Sequence, residues 1–324
     1  MRFQSHLIRA LGVAALAAAL PLASFGQAQP SAHKAASAQK STAQKTFGSP
    51  EEAANALADA VRAKDRKALF AIAGPGSESW LLSGDEVSDR NDWTRFLEAY
   101  DKKHAIENSD GKTTLVVGDD AWPFPAPIVK HGSQWAFDAK AGREEILNRR
   151  VGRNELDAVQ TLLAIVDAQR EYAATDADGN GYADYARRFR SSPGKKDGLY
   201  WATEASQPPS PLGPMVAVAA REGYGKGGAP KTDQRQAYHG YYYKILTAQG
   251  KDAPGGAYDY MVRDKLLGGF AVVAWPATYR VSGVTTLLVN HDGVVYEKDL
   301  GPQTASIASA MTRFNPDSTW RKAQ

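Results

Sequence analysis

Residues 154–185 read NELDAVQTLLAIVDAQREYAATDADGNGYADY, and the fold turns on how this stretch is divided. Leu156, Val159, Leu163 and Val166 recur at steps of three and four, the spacing of one helix face. Asn154 is placed to cap that helix, and Glu155 and Asp157 fall in its first turn, where the dipole favours acids. A helix over 154–174 spans ~31 Å at 1.5 Å per residue. It stops where Asp176, Asp178, Gly179, Asn180, Gly181 and Asp184 crowd into a polar loop.

Two readings of that loop stay open. In an EF-hand-type calcium loop, side-chain oxygens come from positions 1, 3 and 5, glycine turns the chain at 6, and position 7 gives a carbonyl. Asp176, Asp178, Asn180, Gly181 and Tyr182 follow that order, and Asp184 falls at position 9. Position 12 should be a bidentate glutamate and is Arg187. A calcium ion held by Asp176, Asp178, Asn180, Tyr182 and Asp184 would therefore be a weak structural one. The other reading is a helix C-terminal turn in which Gly179 or Gly181 is left-handed. Arg187, Arg188 and Arg190 would then neutralise the aspartates.

Downstream the period changes from helical to two. Segments 237–246 (AYHGYYYKIL), 268–276, 284–290 and 294–300 read as antiparallel strands, with Asp292-Gly293 a hairpin signal between the last two. Upstream, Ser49-Pro50-Glu51-Glu52 is a capping box opening a helix through Ala53, Leu57 and Val61. A second helix near 91–103 aligns Trp93, Phe96, Leu97 and Tyr100, and short strands follow at 112–118, 126–132 and 133–139. The expectation is an α+β fold. N-terminal helices plus a small antiparallel sheet occupy 47–151, and a long helix on an antiparallel meander occupies 152–324. The first part resembles cone-shaped folds of the nuclear transport factor type in element order.

The first 28 residues have the tripartite pattern of a secretory signal: Arg2 and Arg9, an apolar run from Leu11 to Leu22, and small residues up to Ala28. The run is about 12 residues, short of the ~20 a spanning helix needs. No second long apolar run follows, so no membrane span is expected after signal removal. Residues 29–46 read as a disordered Ala/Ser/Gln/Lys tether. Residues 223–236 read as a mobile segment, with Lys226, Lys231 and Arg235 the expected first tryptic sites. The expected location is periplasmic or secreted. Lys and Arg total 39 and Asp and Glu 36, and losing residues 1–28 lowers the net charge from +3 to +1. Such a balance gives no footprint for nucleic acid. The absence of cysteine excludes disulfides, thiolate catalysis and cysteine-ligated zinc.

RRVGRNELDAVQ (149–160), SPLGPMVAVA (210–219), YHGYYYKILTAQG (238–250), GGFAVVAWPATY (268–279) and NHDGVVYEKDLG (290–301) resemble the bacterial family catalogued as domain of unknown function 2950. The resemblance covers roughly residues 46–322 and implies an exported protein, without implying an activity. The C-terminal half also resembles pilin-like and pseudopilin-like domains in its order of long helix, Asp/Gly loop and meander. It departs from them in lacking the apolar helix that polymerises.

Motifs for catalysis are sparse. Ser77 lies in GPGSESW, which is not G-x-S-x-G, and GYGKGGAPK (223–231) lacks the phosphate-loop spacing. No two histidines stand at a metal-ligand spacing. The tyrosine-rich segment Tyr238, His239, Tyr241, Tyr242, Tyr243 is a candidate ligand platform for a glycan or an envelope protein. As one strand it puts Tyr238, Tyr242 and Lys244 on one face and His239, Tyr241 and Tyr243 on the other. The expected function is a non-enzymatic binding or structural protein of the cell envelope. The alternatives are an envelope-polymer hydrolase using His239 or His291, and an accessory factor of a pilus or secretion apparatus. Oligomeric state has no signature in the sequence.

Overall fold

The computed structural model describes residues 43–109, 111–225 and 236–323. The signal pattern, most of the tether and the expected tryptic sites at Lys226, Lys231 and Arg235 lie outside the described residues.

The first elements among the described residues are four helices, α1 (Pro50–Arg62), α2 (Arg66–Ala73), α3 (Glu78–Leu81) and α4 (Glu86–Lys102). The capping box forms with one change. Ser49 accepts from the amide of Glu52, and the Glu52 carboxylate takes the amide of Gly48, one residue earlier than the standard pairing. A sheet follows, built from β1 (His104–Ser109), β2 (Lys112–Val117), β3 (Trp122–Pro123), β4 (Ile128–His131) and β5 (Gln134–Phe137), in the order β1-β2-β4-β5 with β3 also on β2. Ala53, Leu57, Val61, Ile72 and Tyr100 from the helices meet Leu115, Val117, Ile128 and Phe137 from the sheet in one apolar cluster.

α5 (Ala139–Ala174) is 36 residues long, ~54 Å. It starts fifteen residues before the expected point, because Asp138 caps it by accepting from the amides of Lys140 and Ala141. Asn154 and Glu155 are interior residues with another task. Asn154 Nδ2 donates to Ser282 O at 2.8 Å, and Glu155 Oε1 accepts the amides of Val284 and Thr285. The expected stripe is also shifted. Val166 is buried as expected and Val159 and Leu163 pack half-buried on the same core, but Leu156 is 67% exposed, and the most buried line runs Ala158, Leu162, Ile165, Gln169 and Tyr172. Gln169 is tolerated there because its amide exchanges two hydrogen bonds with the backbone of Ala186.

After α6 (Gly213–Glu222) come β6 (Tyr241–Leu246), β7 (Ala248–Gln249), β8 (Tyr258–Asp259), β9 (Met261–Val262), β10 (Lys265–Leu266), β11 (Ala271–Pro276), β12 (Thr285–Asn290) and β13 (Tyr296–Asp299), then α7 (Thr304–Ala310), β14 (Arg313–Phe314) and β15 (Arg321–Lys322). The main sheet has the order β15-β13-β12-β11-β6, every pair antiparallel. β11 and β12 are buried along their whole length, and in β12 this includes the polar Thr285, Thr286 and Asn290. α5 packs on β11 and β12. Lys244 donates to the carbonyls of Ser309 and Met311 at the end of α7, which closes the opposite face of β6.

The fold is α+β, with N-terminal helices and a C-terminal meander. Its two apolar clusters share no residue. α5 passes from one to the other, and Gly152, where the sequence suggests a boundary, lies inside that helix. No described helix is long and apolar enough to cross a membrane.

Candidate functional site

A cavity of about 460 Å³ lies in the N-terminal half between the helices and the sheet. Leu57, Leu69, Ile72, Trp80, Val117 and Phe137 are buried and form its floor. Trp93, Phe96 and Phe124 are half-buried, and Trp122 at 44% exposure marks the mouth. The polar groups that line it are Arg95, Arg149, Arg150, Arg153 and Asp92. Helical spacing gathers them: Arg149 and Arg153 are one turn apart on α5, as are Asp92 and Arg95 on α4.

Each arginine is held differently. Arg153 binds Asp92 through both nitrogens at 3.0 and 2.9 Å, and Arg95 binds the same carboxylate. Burial works to lower Arg153, but the hydrogen bond and charge of Asp92 outweigh it and hold the guanidinium above its ordinary value. Arg149 gives Nε to Glu145 at 2.6 Å and Nη1 to Pro123 O at 3.0 Å, with its guanidinium 4.8 Å from the Trp122 ring. Arg150, only 8% exposed, reaches the carbonyls of Trp80 and Leu81 and so ties α5 to α3. Burial lowers its proton affinity, and Asp89 opposes that by charge. Asp89 is itself pushed up by burial, against hydrogen bonds from Ser83. Gly142 is needed beside the cavity because a Cβ there would sit 2.6 Å from the Cβ of Ala126.

The tyrosine segment differs from the single strand expected. Tyr238-His239-Gly240-Tyr241 is a tight turn, with backbone bonds in both directions between Tyr238 and Tyr241. His239 and Gly240 both have positive φ, 50° and 73°, as a primed turn requires. The strand therefore starts at Tyr241, and His239 leaves the face assigned to it. Tyr241 is wholly buried and donates to Thr285 O. Tyr242 lies against Trp275, with ring centroids 5.9 Å apart. Tyr238 and Tyr243 come together at a second cavity of about 220 Å³, with Met215, Val216 and Ile165.

His239 is clasped between Asp157 of α5 (Nδ1 to Oδ2, 3.4 Å) and Glu222 of α6 (Nε2 to Oε2, 3.6 Å). Beneath it Asp85 accepts from the hydroxyl of Tyr224 and the amide of Gly240. His291 stands apart, 3.8 Å from Asp292 and edge-on to Tyr260.

The Asp/Gly loop is tied by its own hydrogen bonds. Asp176 accepts the amides of Asn180 and Gly181, Asn180 donates to Asp178 and Asp184, and the amide of Tyr182 donates to Asn180 Oδ1. Gly179 and Gly181 have φ of 69° and 82°. The arginines go elsewhere: Arg187 to Asp264 O, Arg188 to Asp197, and Arg190 over Tyr200. Among the described residues no three His, Cys, Asp or Glu side chains stand in an arrangement that could hold a metal ion.

Fold and cavity together define a two-core α+β protein with an apolar, arginine-rimmed pocket. Residues 44–323 match the family described as "Protein of unknown function (DUF2950)", and the chain belongs to that family. No curated protein and no solved structure matches it.

Proposed function

We propose that this is an exported, non-enzymatic binding protein of the cell envelope that holds an apolar small molecule in its N-terminal cavity. The observation that carries the reading is the cavity itself. Its volume of about 460 Å³ lies in the range of small-molecule sites, with aromatic walls and a few converging polar groups. Export rests on the Arg-flanked apolar run and the small residues before Gln29. The pilin-like likeness of the C-terminal half belongs to the proposal as architecture only.

Isothermal titration of the purified protein with decanol tests the binding. Eleven non-hydrogen atoms at roughly 0.5 kcal/mol each give a dissociation constant on the order of 100 µM. Ile146→Trp, which adds bulk from the half-buried face of α5, should abolish binding without lowering the melting temperature. Ala73→Leu at the end of α2 serves as an independent filler. Binding unchanged in both variants would remove the cavity from the account.

A hydrolase using His239 is the second reading, favoured by the left-handed backbone of His239 and its two carboxylate neighbours. Both imidazole nitrogens face carboxylates, an arrangement suited to a clasp between α5 and α6. Loss of stability rather than of hydrolytic activity in His239→Gln would favour the clasp.

A further inference from the structure

The cavity has an apolar body and an arginine rim, and the donors of that rim are not all engaged from within. Asp92 is the single carboxylate among the lining residues, and it already serves both Arg153 and Arg95. Glu145 stands behind Arg149, and Asp89 near Arg150. Asp157 also acts on Arg153 by charge, so four carboxylates stand around the four guanidinium groups, and Arg150 lies in the wall rather than at the mouth. The donors, however, are not exhausted. A guanidinium has five N–H groups. Arg149 commits Nε and Nη1, and Arg95 commits Nη2. Both sit on the more exposed side of the site, whereas Arg150 is fixed in the wall. A neutral apolar guest would leave these donors to water.

We propose that the ligand class is an amphipathic monoanion, a molecule with an alkyl or aryl body in the cavity and one carboxylate-type headgroup on the arginine rim. This rests on the cavity reading above and sharpens it. Charge-assisted hydrogen bonds to a guanidinium are roughly twice as strong as neutral ones, so the headgroup supplies selectivity as well as affinity.

Three probes of equal chain length separate the two claims: decanoate, decanol and decylammonium, titrated at about pH 8, where the carboxylic acid is ionised and the amine protonated. Decanoate should bind at least about tenfold more tightly than decanol, and decylammonium more weakly than either. Arg95→Gln and Arg149→Gln, at exposed and half-exposed positions, should each reduce the decanoate-to-decanol affinity ratio about tenfold, with melting temperature as the check on folding. Raising the salt concentration should narrow the ratio. Equal or tighter binding of decanol would overturn the anion inference and leave the cavity reading standing. A ratio unmoved by both substitutions would overturn the assignment of the headgroup to the rim. No binding of any probe would overturn the cavity reading itself.

Discussion

Asp85 holds four groups at once. Its Oδ1 accepts the amides of Val87 and Ser88 and so caps α4, and its Oδ2 accepts the Tyr224 hydroxyl and the Gly240 amide. At 3% exposure it cannot exchange any of these for water. Asp85→Ala removes a cap and strands buried donors, a loss of about 3–5 kcal/mol. Asp85→Asn keeps the cap and one further bond, so about 1–2 kcal/mol is expected. Urea denaturation measures both, and a loss below about 1 kcal/mol for the alanine variant would contradict this account. Gly240 beside it has no tolerance: φ is 73°, and a Cβ would lie 2.4 Å from Asn154 Nδ2. The capping role of Ser49 was legible from its neighbours in sequence. That of Asp85 was legible only in part, because Tyr224 and Gly240 are far along the chain.

Among the elements, α5 decides most. Its two interior glycines make opposite predictions. Gly152 is exposed with open space around its Cβ position, so Gly152→Ala should raise stability by about 0.5–1 kcal/mol. Gly142→Ala, against Ala126, should lower it. A pair of melting curves decides, and a fall with Gly152→Ala would contradict an uninterrupted helix through 152. The sequence placed this helix too late because Asn154 and Glu155 imitate a first turn, whereas their real partners are the backbone of residues 282–285. The strand at 271–276 was readable as an apolar run, and that at 285–290 from its Thr, Leu and Val content and the Asp292-Gly293 turn signal after it. β1 was not: His104–Ser109 is a polar edge strand with a single neighbour, so no alternation marks it. The arginine rim was present in the string RRVGR, but only the fold shows that Arg149, Arg150 and Arg153 share a cavity with Arg95.

Across the whole molecule, tyrosine burial sets the alkaline limit. Of the 14 tyrosines, eight (Tyr100, Tyr172, Tyr224, Tyr238, Tyr241, Tyr243, Tyr258 and Tyr260) are raised above the ordinary phenol value, in each case chiefly by burial, and Tyr238 is pushed up to about 12. Such groups stay protonated in the fold while the unfolded chain ionises near 10, so the native state binds more protons and stability falls as pH rises. The tyrosine contribution to stability should therefore be level below about pH 9 and decline from pH 10 upward. In a spectrophotometric titration these phenols should ionise late, most of them together with loss of near-ultraviolet circular dichroism. Ionisation of all 14 in one step near the ordinary value, with the fold intact, would contradict the burial described.

The cavity and its ligand class are tested most directly by a crystal structure of the protein with ω-bromodecanoate, whose bromine is located by anomalous scattering. The account predicts one bromine peak among Leu57, Ile72 and Phe137, with the carboxylate on Arg95 or Arg149. A bromine at the mouth with the carboxylate buried, or bound ligand only outside the cavity, would contradict it.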